Sequence, residues 1–179
     1  SFAYTERETY YGSHQDPNAY GDTDNPLGVT GIQANYHWNR HLFTVGLQYS
    51  YEGLNDHAPA YNRTINDVYQ NAGIIFQDEW EFGPFQSSNV VYGFRMDQHS
   101  EIETPIWSPR LALKWDVSPD WTLRSGVSTG FKPPQIFDED LHITQVNGEG
   151  KLILNQDGLQ EERSTTAYGG LEYTEIFGT

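Results

Sequence analysis

Cysteine is absent from this chain of 179 residues, and long apolar runs are absent as well. Without cysteine there are no disulfides, no thiolate metal sites and no cysteine nucleophiles. No stretch approaches the roughly 18 apolar residues that suggest a membrane-spanning helix. Basic residues are also few, because 10 Lys and Arg stand against 25 Asp and Glu, for a formal net charge of -15. This balance argues against nucleic acid or an anionic lipid surface as a partner.

Aromatic residues, in contrast, make up 15% of the chain, and its apolar residues alternate with polar ones. The clearest alternation runs from Trp107 to Phe131 around a turn at residues 118–120. Its apolar positions are Trp107, Pro109, Leu111, Leu113, Trp115, Val117, Trp121, Leu123, Val127 and Phe131. Because successive side chains of a strand point to opposite faces, the pattern predicts two paired strands with one apolar and one polar face.

The same alternation recurs along the rest of the chain. It pairs residues 32–38 with 43–51 and residues 72–76 with 90–96, and it continues in the polar, aromatic first segment and in a final run at 167–173. The sequence therefore predicts an all-β protein, an antiparallel up-and-down sheet of about eight strands, many near the ~9–11 residues of a tilted membrane-crossing strand.

The predicted connections between strands alternate in length. Short turns are expected near 39–40, 83–85 and 118–120, and long polar segments near 13–27, 53–66, 97–106 and 132–162. In an up-and-down sheet successive connections lie at opposite ends. The alternation thus predicts short turns at one rim and long loops at the other, as in outer-membrane barrels.

Two alternatives share the strand pattern: a soluble lipocalin-like binding module and a complete eight-stranded outer-membrane barrel of adhesin or structural type. Aromatic residues toward the strand ends favour a membrane barrel, since such rings lie at membrane interfaces. These residues are Trp38, Tyr51, Trp80, Trp107, Trp115 and Trp121.

Two elements in the second half resemble motifs of the TonB-dependent outer-membrane receptors. The first is Gly130, Phe131, Lys132, Pro133 and Pro134, similar to the family's strand-ending Gly-Phe/Tyr-Lys/Arg-Ala/Pro-Pro element. The second, similar to the element that opens the family's next strand, includes Asn155, Leu159, Glu161, Arg163 and Ser164. Proline cannot donate to a strand ladder, so the first element is expected to end a strand and begin a loop. Both elements are interpreted as structural markers and not as a binding site.

The resemblance implies a receptor for TonB-energised uptake of a scarce nutrient, such as a chelated metal, a vitamin-like cofactor or a glycan. Such receptors have a barrel of about 22 strands around a plug. Residues 1–179 are accordingly expected to be a partial barrel domain without plug or TonB box, in the outer membrane of a Gram-negative bacterium. Its expected partners are the lipid bilayer, the plug of the same full-length chain and, through the missing N-terminal region, the TonB complex.

Four basic residues lie at the alternate positions that form the polar face of the predicted strands. They are Arg95, Arg110, Lys114 and Arg124, and we expect them to face the barrel lumen, because a cation is costly in hydrocarbon. There they would pair with plug residues or with neighbours such as Asp116, or else help an anionic ligand pass.

No catalytic site, metal site or cofactor is predicted. His37 and His41 flank a two-residue turn and could face each other, but a zinc site needs three or four converging ligands. Asp78 and Glu79 are neighbours in a predicted strand, so they point to opposite faces and cannot act together as acid and base.

Overall fold

The computed structural model describes residues 1–10, 20–59, 62–83, 88–136 and 159–174. These residues form one eight-stranded sheet. Its strands are β1 (Phe2–Tyr10), β2 (Tyr20–Trp38), β3 (His41–Ala58), β4 (Arg63–Phe82), β5 (Ser88–His99), β6 (Ile106–Asp116), β7 (Trp121–Lys132) and β8 (Glu162–Tyr173). Each strand pairs antiparallel with the strands before and after it in the chain, in the order β1 to β8. The all-β up-and-down fold predicted from the alternation is confirmed.

Tight turns join consecutive strands at one end of the sheet. Trp38 pairs with His41 across a turn at residues 39–40, where Asn39 adopts a positive φ of 54°. Asparagine tolerates this left-handed conformation, so the turn needs no glycine. The turn after β6 includes the predicted residues 118–120. The third predicted turn begins at Gly83, whose φ is 85°, and continues into residues outside the described ranges.

Strands β2, β3 and β4 have 19, 18 and 20 residues, well beyond the predicted length. The expected loops are therefore wrong in part: residues 20–27, 53–58, 63–66 and 97–99 are in strands, whereas residues 100–105 and 133–136 lie outside the strands as expected. Polar side chains pair across these extensions, for example where the Asn25 amide donates to Glu52 at 3.2 Å. Because these segments are polar, the sequence pattern predicts loops there, although the hydrogen-bonded strand ladder continues through them.

The strand register sorts the side chains onto two faces, since directly paired residues lie on the same face. Ile74 pairs with Leu47 on one side and Met96 on the other, and Leu111 pairs with Val127. We call the side that carries them the apolar face. Lys114 pairs with Arg124 on the opposite side, the polar face. The face predicted for each of these residues from the alternation agrees with the face given by the strand register.

The main hydrophobic cluster lies on the polar face, within the long extensions of β3 and β4. It consists of Leu54, Tyr69 and Ile136, with Ile65 packed against it. Along most of the sheet, by contrast, large apolar side chains such as Ile32 and Leu111 stay exposed. Across the described ranges, no helix is long and apolar enough to span a membrane.

Candidate functional site

The polar face carries all four basic residues singled out in the sequence. The pairs Arg95–Ser108, Arg110–Ser128 and Lys114–Arg124 show that they share one side of β5, β6 and β7. A cation on this side is separated by the sheet from the exposed apolar side chains of the opposite face. Among the described residues, three of the four have acidic partners and one does not.

Arg95 is held by a nearly complete set of acceptors. Its Nε donates to both oxygens of Asp97 at 2.9 and 2.7 Å, and its Nη1 donates to Gln48 Oε1 at 2.6 Å. Asp97 is fully buried, so its charge depends on this guanidinium. A Cβ on Gly73 would lie 2.7 Å from Arg95 Nη2 and 2.8 Å from Asp97 Oδ1. The glycine thus leaves the space in which this ion pair forms.

Lys114 and Arg124 have looser partners. Lys114 Nζ lies 3.8 Å from Asp116 Oδ2, confirming the neighbour expected from the sequence, and Thr122 donates to the other Asp116 oxygen at 2.7 Å. Arg124 Nε lies 3.1 Å from Glu172 Oε2, with both side chains about half exposed. Exposed pairs of this kind contribute roughly 0–1 kcal/mol to stability. These two cations remain available to other acidic groups.

Arg110 differs from the other three. It is exposed, and within the described part of the chain it has no acidic partner. It lines a cavity of about 470 Å³ together with Arg95, Ser108, Gln77, Ser128 and Tyr168. The Tyr168 ring packs over Gly126, where a Cβ would lie 2.6 Å from Tyr168 Cε1. This part of the polar face therefore presents an uncompensated positive charge beside neutral hydrogen-bonding groups.

The rim at the extended ends of the strands is built by the residues that follow β7. After Pro133 and Pro134 the chain crosses the polar face to β3, β4 and β5. Gln135 Nε2 donates to Glu52 Oε2 at 2.9 Å, and the Ile136 amide donates to Tyr69 Oη at 3.2 Å. His99 Nε2 lies 3.1 Å from Gln135 Oε1. The Pro-Pro element thus ends β7, and Gln135 and Ile136 after it lie on the polar face.

The tautomer of His99 follows from its hydrogen bonds. Its Nδ1 accepts the Glu101 amide N–H at 3.2 Å, so Nε2 carries the proton and donates to Gln135. Tyr69 stacks beside it at a centroid distance of 6.4 Å and donates from Oη to Asp67 at 3.1 Å. Burial raises the pKa of Tyr69 to about 12. The rim is therefore held by hydrogen bonds from Gln135 and Tyr69 to Glu52 and Asp67 around a hydrophobic cluster.

The remaining motif positions lie in the strand pair β7–β8. Gly130, Phe131 and Lys132 pair with Ser164, Arg163 and Glu162, so the two elements meet across one ladder. Arg163 Nε donates to Glu161 Oε1 at 2.7 Å. The pKa of Glu161 is lowered by a hydrogen bond from its own backbone and by Arg163.

Leu159 is exposed, and Asn155 lies outside the described residues. The contacts of Gln135 and Ile136 are not predicted by the sequence pattern. An apolar residue shortly after the two prolines was the available signal, but nothing local indicates where it docks.

The two histidines at the β2–β3 turn do not face each other. His37 pairs with Leu42 on the polar face, whereas His41 pairs with Trp38 on the apolar face. The expectation that they could meet is wrong, because Trp38 and His41 pair across the turn, and His37, the residue before Trp38, points to the opposite face. Asp78 and Glu79 likewise pair with residues on opposite faces, Phe43 and Leu42.

All 179 residues match the family described as TonB dependent receptor-like, beta-barrel. The chain belongs to this family. TonB-dependent receptors are transport proteins and not enzymes, which agrees with the absence of a predicted catalytic site. The assignment favours a receptor segment over a soluble lipocalin-like module.

Among curated relatives, the chain is 33% identical over 136 residues to an iron-regulated outer membrane virulence protein of Vibrio cholerae, covering 75% of this chain and 20% of that protein. It is 28% identical over 96 residues to a probable TonB-dependent siderophore receptor, PirA, of Acinetobacter baumannii, covering 49% of this chain and 13% of that one. The chain thus spans only a fifth, or less, of these relatives.

Among solved structures, the ferric enterobactin receptor PfeA of Pseudomonas aeruginosa matches with a TM-score of 0.74 and 17% identity, over 98% of this chain and 29% of that one. The siderophore receptor PirA of the same organism matches with a TM-score of 0.67 and 21% identity, over 87% and 30%. These likenesses show the fold: eight strands that correspond to part of a larger receptor barrel.

Proposed function

We propose that this chain forms part of the barrel wall of an outer-membrane receptor that takes up an iron-loaded siderophore with energy from TonB. The observation that carries the proposal is the match of the whole chain to the receptor barrel, together with its 33% identity to an iron-regulated outer-membrane protein. Siderophores are the chelated-metal case of the three nutrient classes expected from the sequence. The glycan and vitamin-like alternatives have no comparable support.

In this proposal residues 1–179 are a partial barrel domain, and the polar face forms the lumen wall. The exposed apolar face, with Ile32, Leu47 and Leu111, faces lipid. Burying charged groups in hydrocarbon is unfavourable, so Arg95, Arg110 and Arg124 belong on the water-filled or plug-filled side. The further strands of a barrel of about 22 and the plug come from the rest of the full-length protein.

The short turns then lie at the periplasmic rim and the strand extensions outside the cell, following the usual asymmetry of these barrels. The extensions of β2, β3 and β4 raise the Leu54–Tyr69–Ile136 cluster above the membrane. The polar face at this level, from Glu52 in β3 to Asp97 in β5, becomes the upper part of the lumen wall. A siderophore entering from outside would meet this region before it reaches Arg95 and Arg110.

The charges of the wall suit an anionic cargo. Ferric complexes of catecholate ligands carry net negative charge, and Arg110 offers a guanidinium that no described acid neutralises. Arg95 and Arg124 are paired with Asp97 and Glu172, so among the described cations of this face Arg110 is the one left to meet an anionic cargo. The same guanidinium could bind a carboxylate of the plug, which is the second role expected from the sequence.

The test is uptake by the full-length receptor in its Gram-negative host. Deleting the gene should abolish uptake of one ferric siderophore under iron limitation, and complementation should restore it. A complemented strain lacking TonB should bind the siderophore at the surface but not import it. Import that persists without the gene for every siderophore tested, with loss of a glycan or cobalamin instead, would contradict the siderophore assignment.

A further inference from the structure

A polar cluster lies on the apolar face, beside the β2–β3 turn. Asp78, in β4, accepts a hydrogen bond from Tyr92 Oη at 2.6 Å, and its same oxygen, Oδ2, lies 2.8 Å from His41 Nδ1. The Asp78 side chain is only 1% exposed. Its paired neighbours on this face are Phe43 and Tyr92. A carboxylate among aromatic rings on the lipid-facing side is unfavourable unless its partners compensate it.

The cluster fixes the His41 ring in one orientation. The imidazole stacks on Phe43 at 5.5 Å and on Trp80 at 5.9 Å, with an interplanar angle of 5° in both cases. Because the carboxylate accepts at Nδ1, Nδ1 carries a proton and Nε2 points away from Asp78. No described residue bonds to Nε2, and the His41 side chain is 29% exposed. The structure therefore presents one imidazole nitrogen from a rigid stack of rings.

The carboxylate does not serve stability alone. Asp78 Oδ1 is buried and has no hydrogen-bond partner among the described residues. An unsatisfied buried oxygen costs about 1–3 kcal/mol, and more when it is charged. An apolar residue on a lipid-facing strand would avoid that cost. The arrangement is consistent with a carboxylate retained to hold and polarise His41.

An exposed cation precedes His41 in the chain. Arg40 occupies the turn immediately before His41, is exposed, and has no side-chain partner within the described ranges. The turn itself is anchored, because the Glu81 amide donates to the Arg40 carbonyl at 2.8 Å. Trp38 and Trp80 flank it, and such rings settle at the headgroup level of a bilayer. Arg40 and His41 thus lie where lipid phosphates are found.

We propose that Arg40 and His41 form a binding site for the headgroup of phosphatidylethanolamine, with Asp78 as the residue that positions His41. The proposal rests on the placement of this chain in the outer membrane under the proposed function. The Arg40 guanidinium donates to the phosphate oxygens, the unprotonated His41 Nε2 accepts from the headgroup ammonium, and the rings of Trp38 and Trp80 contact the lipid below its headgroup. A zwitterionic lipid fits a chain of net charge -15 better than an anionic one.

The experiment is native mass spectrometry of the full-length receptor titrated with phosphatidylethanolamine in detergent. His41→Gln should weaken retention of one lipid by about tenfold, the loss of one charge-assisted hydrogen bond. Asp78→Asn keeps an acceptor for Nδ1 but removes the charge, so its effect should be smaller than that of His41→Gln. His57→Gln is the matched control, since His57 is an imidazole on the same face at the opposite end of β3.

Folding of each variant is checked by heat-modifiable electrophoretic mobility, and Arg40→Gln at the exposed turn provides the test if His41→Gln does not fold. Equal lipid retention by the wild-type and by Arg40→Gln or His41→Gln would overturn the proposal. Displacement of the lipid by excess inorganic phosphate would also overturn it, since the site would then bind free phosphate. Siderophore uptake, measured in parallel, separates this outcome from failure of the proposed function.

Discussion

Gln135 Nε2 donates a hydrogen bond of 2.9 Å to Glu52 Oε2, although 83 positions separate the two residues in the chain. The bond connects the segment after β7 with β3, across the polar face of the strands between them. Together with the hydrogen bond from the Ile136 amide to Tyr69, it forms a bridge over the polar face at the rim. The bridge ties together strands that the sheet alone connects only through their neighbours.

The first prediction concerns this bridge. Ile136→Ala should remove an apolar side chain that is 5% exposed and packs on Leu54 and Tyr69. A buried Ile→Ala change costs about 2–5 kcal/mol. Here the change lowers the free energy with which the segment after β7 docks on β3 and β4, and it leaves the rest of the sheet intact. Hydrogen exchange of the full-length receptor should accelerate at the Ile136 amide. Leu159→Ala, at an exposed position, is the control, and equal protection in both variants would contradict the bridge.

The second prediction tests which face meets lipid. Leu111→Arg, in the middle of β6 on the apolar face, should destabilise the full-length barrel by roughly 2–4 kcal/mol, as a cation near the bilayer midplane does. Gln77→Arg places the same side chain on the polar face and should cost much less. Free energies of unfolding in lipid vesicles give the comparison. Equal costs for the two variants would be incompatible with the assignment of the faces.

The third prediction separates transport from structure at the lumen wall. Arg110→Gln combined with Arg124→Gln should slow siderophore uptake by the full-length receptor and leave surface binding intact, because the wall loses two positive charges along the path. Arg163→Gln, which removes a cation from the apolar face, is the control, and each single variant, Arg110→Gln and Arg124→Gln, is compared with it. Unchanged uptake with a less stable plug would leave these residues only a structural role.

A fourth prediction concerns the close approach of β4 and β5. A Cβ on Gly93 would lie 2.3 Å from the backbone oxygen of Phe76, which cannot move without opening the ladder. Gly93→Ala should therefore destabilise the barrel by about 1–3 kcal/mol, as overpacking does. Gly28→Ala, where nothing lies within 4 Å, is the matched control. Denaturation in urea measures both, and equal midpoints would show that the strands adjust freely.

The fifth prediction concerns the ion pair at the tip of the β3–β4 extension. Arg63 and Asp56 are 2% and 1% exposed in their side chains, and Thr23 also donates to Asp56 at 2.8 Å. Asp56→Ala should cost about 3–5 kcal/mol, since it leaves a buried guanidinium unpaired. Asp56→Leu with Arg63→Met should recover most of that loss. Protease sensitivity at the β3–β4 connection reports the opening, and a silent Asp56→Ala variant would refute the pairing.

Local periodicity was enough to predict much of this fold. The side on which Leu111 or Arg124 lies follows from its parity within a strand, because the alternation of side chains is a property of the extended backbone itself. The turn at Asn39 and the end of β7 at Pro133 were equally local, since each depends on the conformations that one or two residues allow.

Tertiary structure decided what depends on partners distant in sequence. The polar extensions of β2, β3 and β4 continue as strands, in which side chains such as Asn25 and Glu52 form hydrogen bonds across the ladder. No alternation of apolar residues in the sequence predicts these extensions. The docking of Gln135 on Glu52 and the capture of His41 by Asp78 are likewise invisible in the sequence. The physical reason is that alternation fixes the face of a side chain, whereas its neighbour on that face is chosen by the register and curvature of the whole sheet.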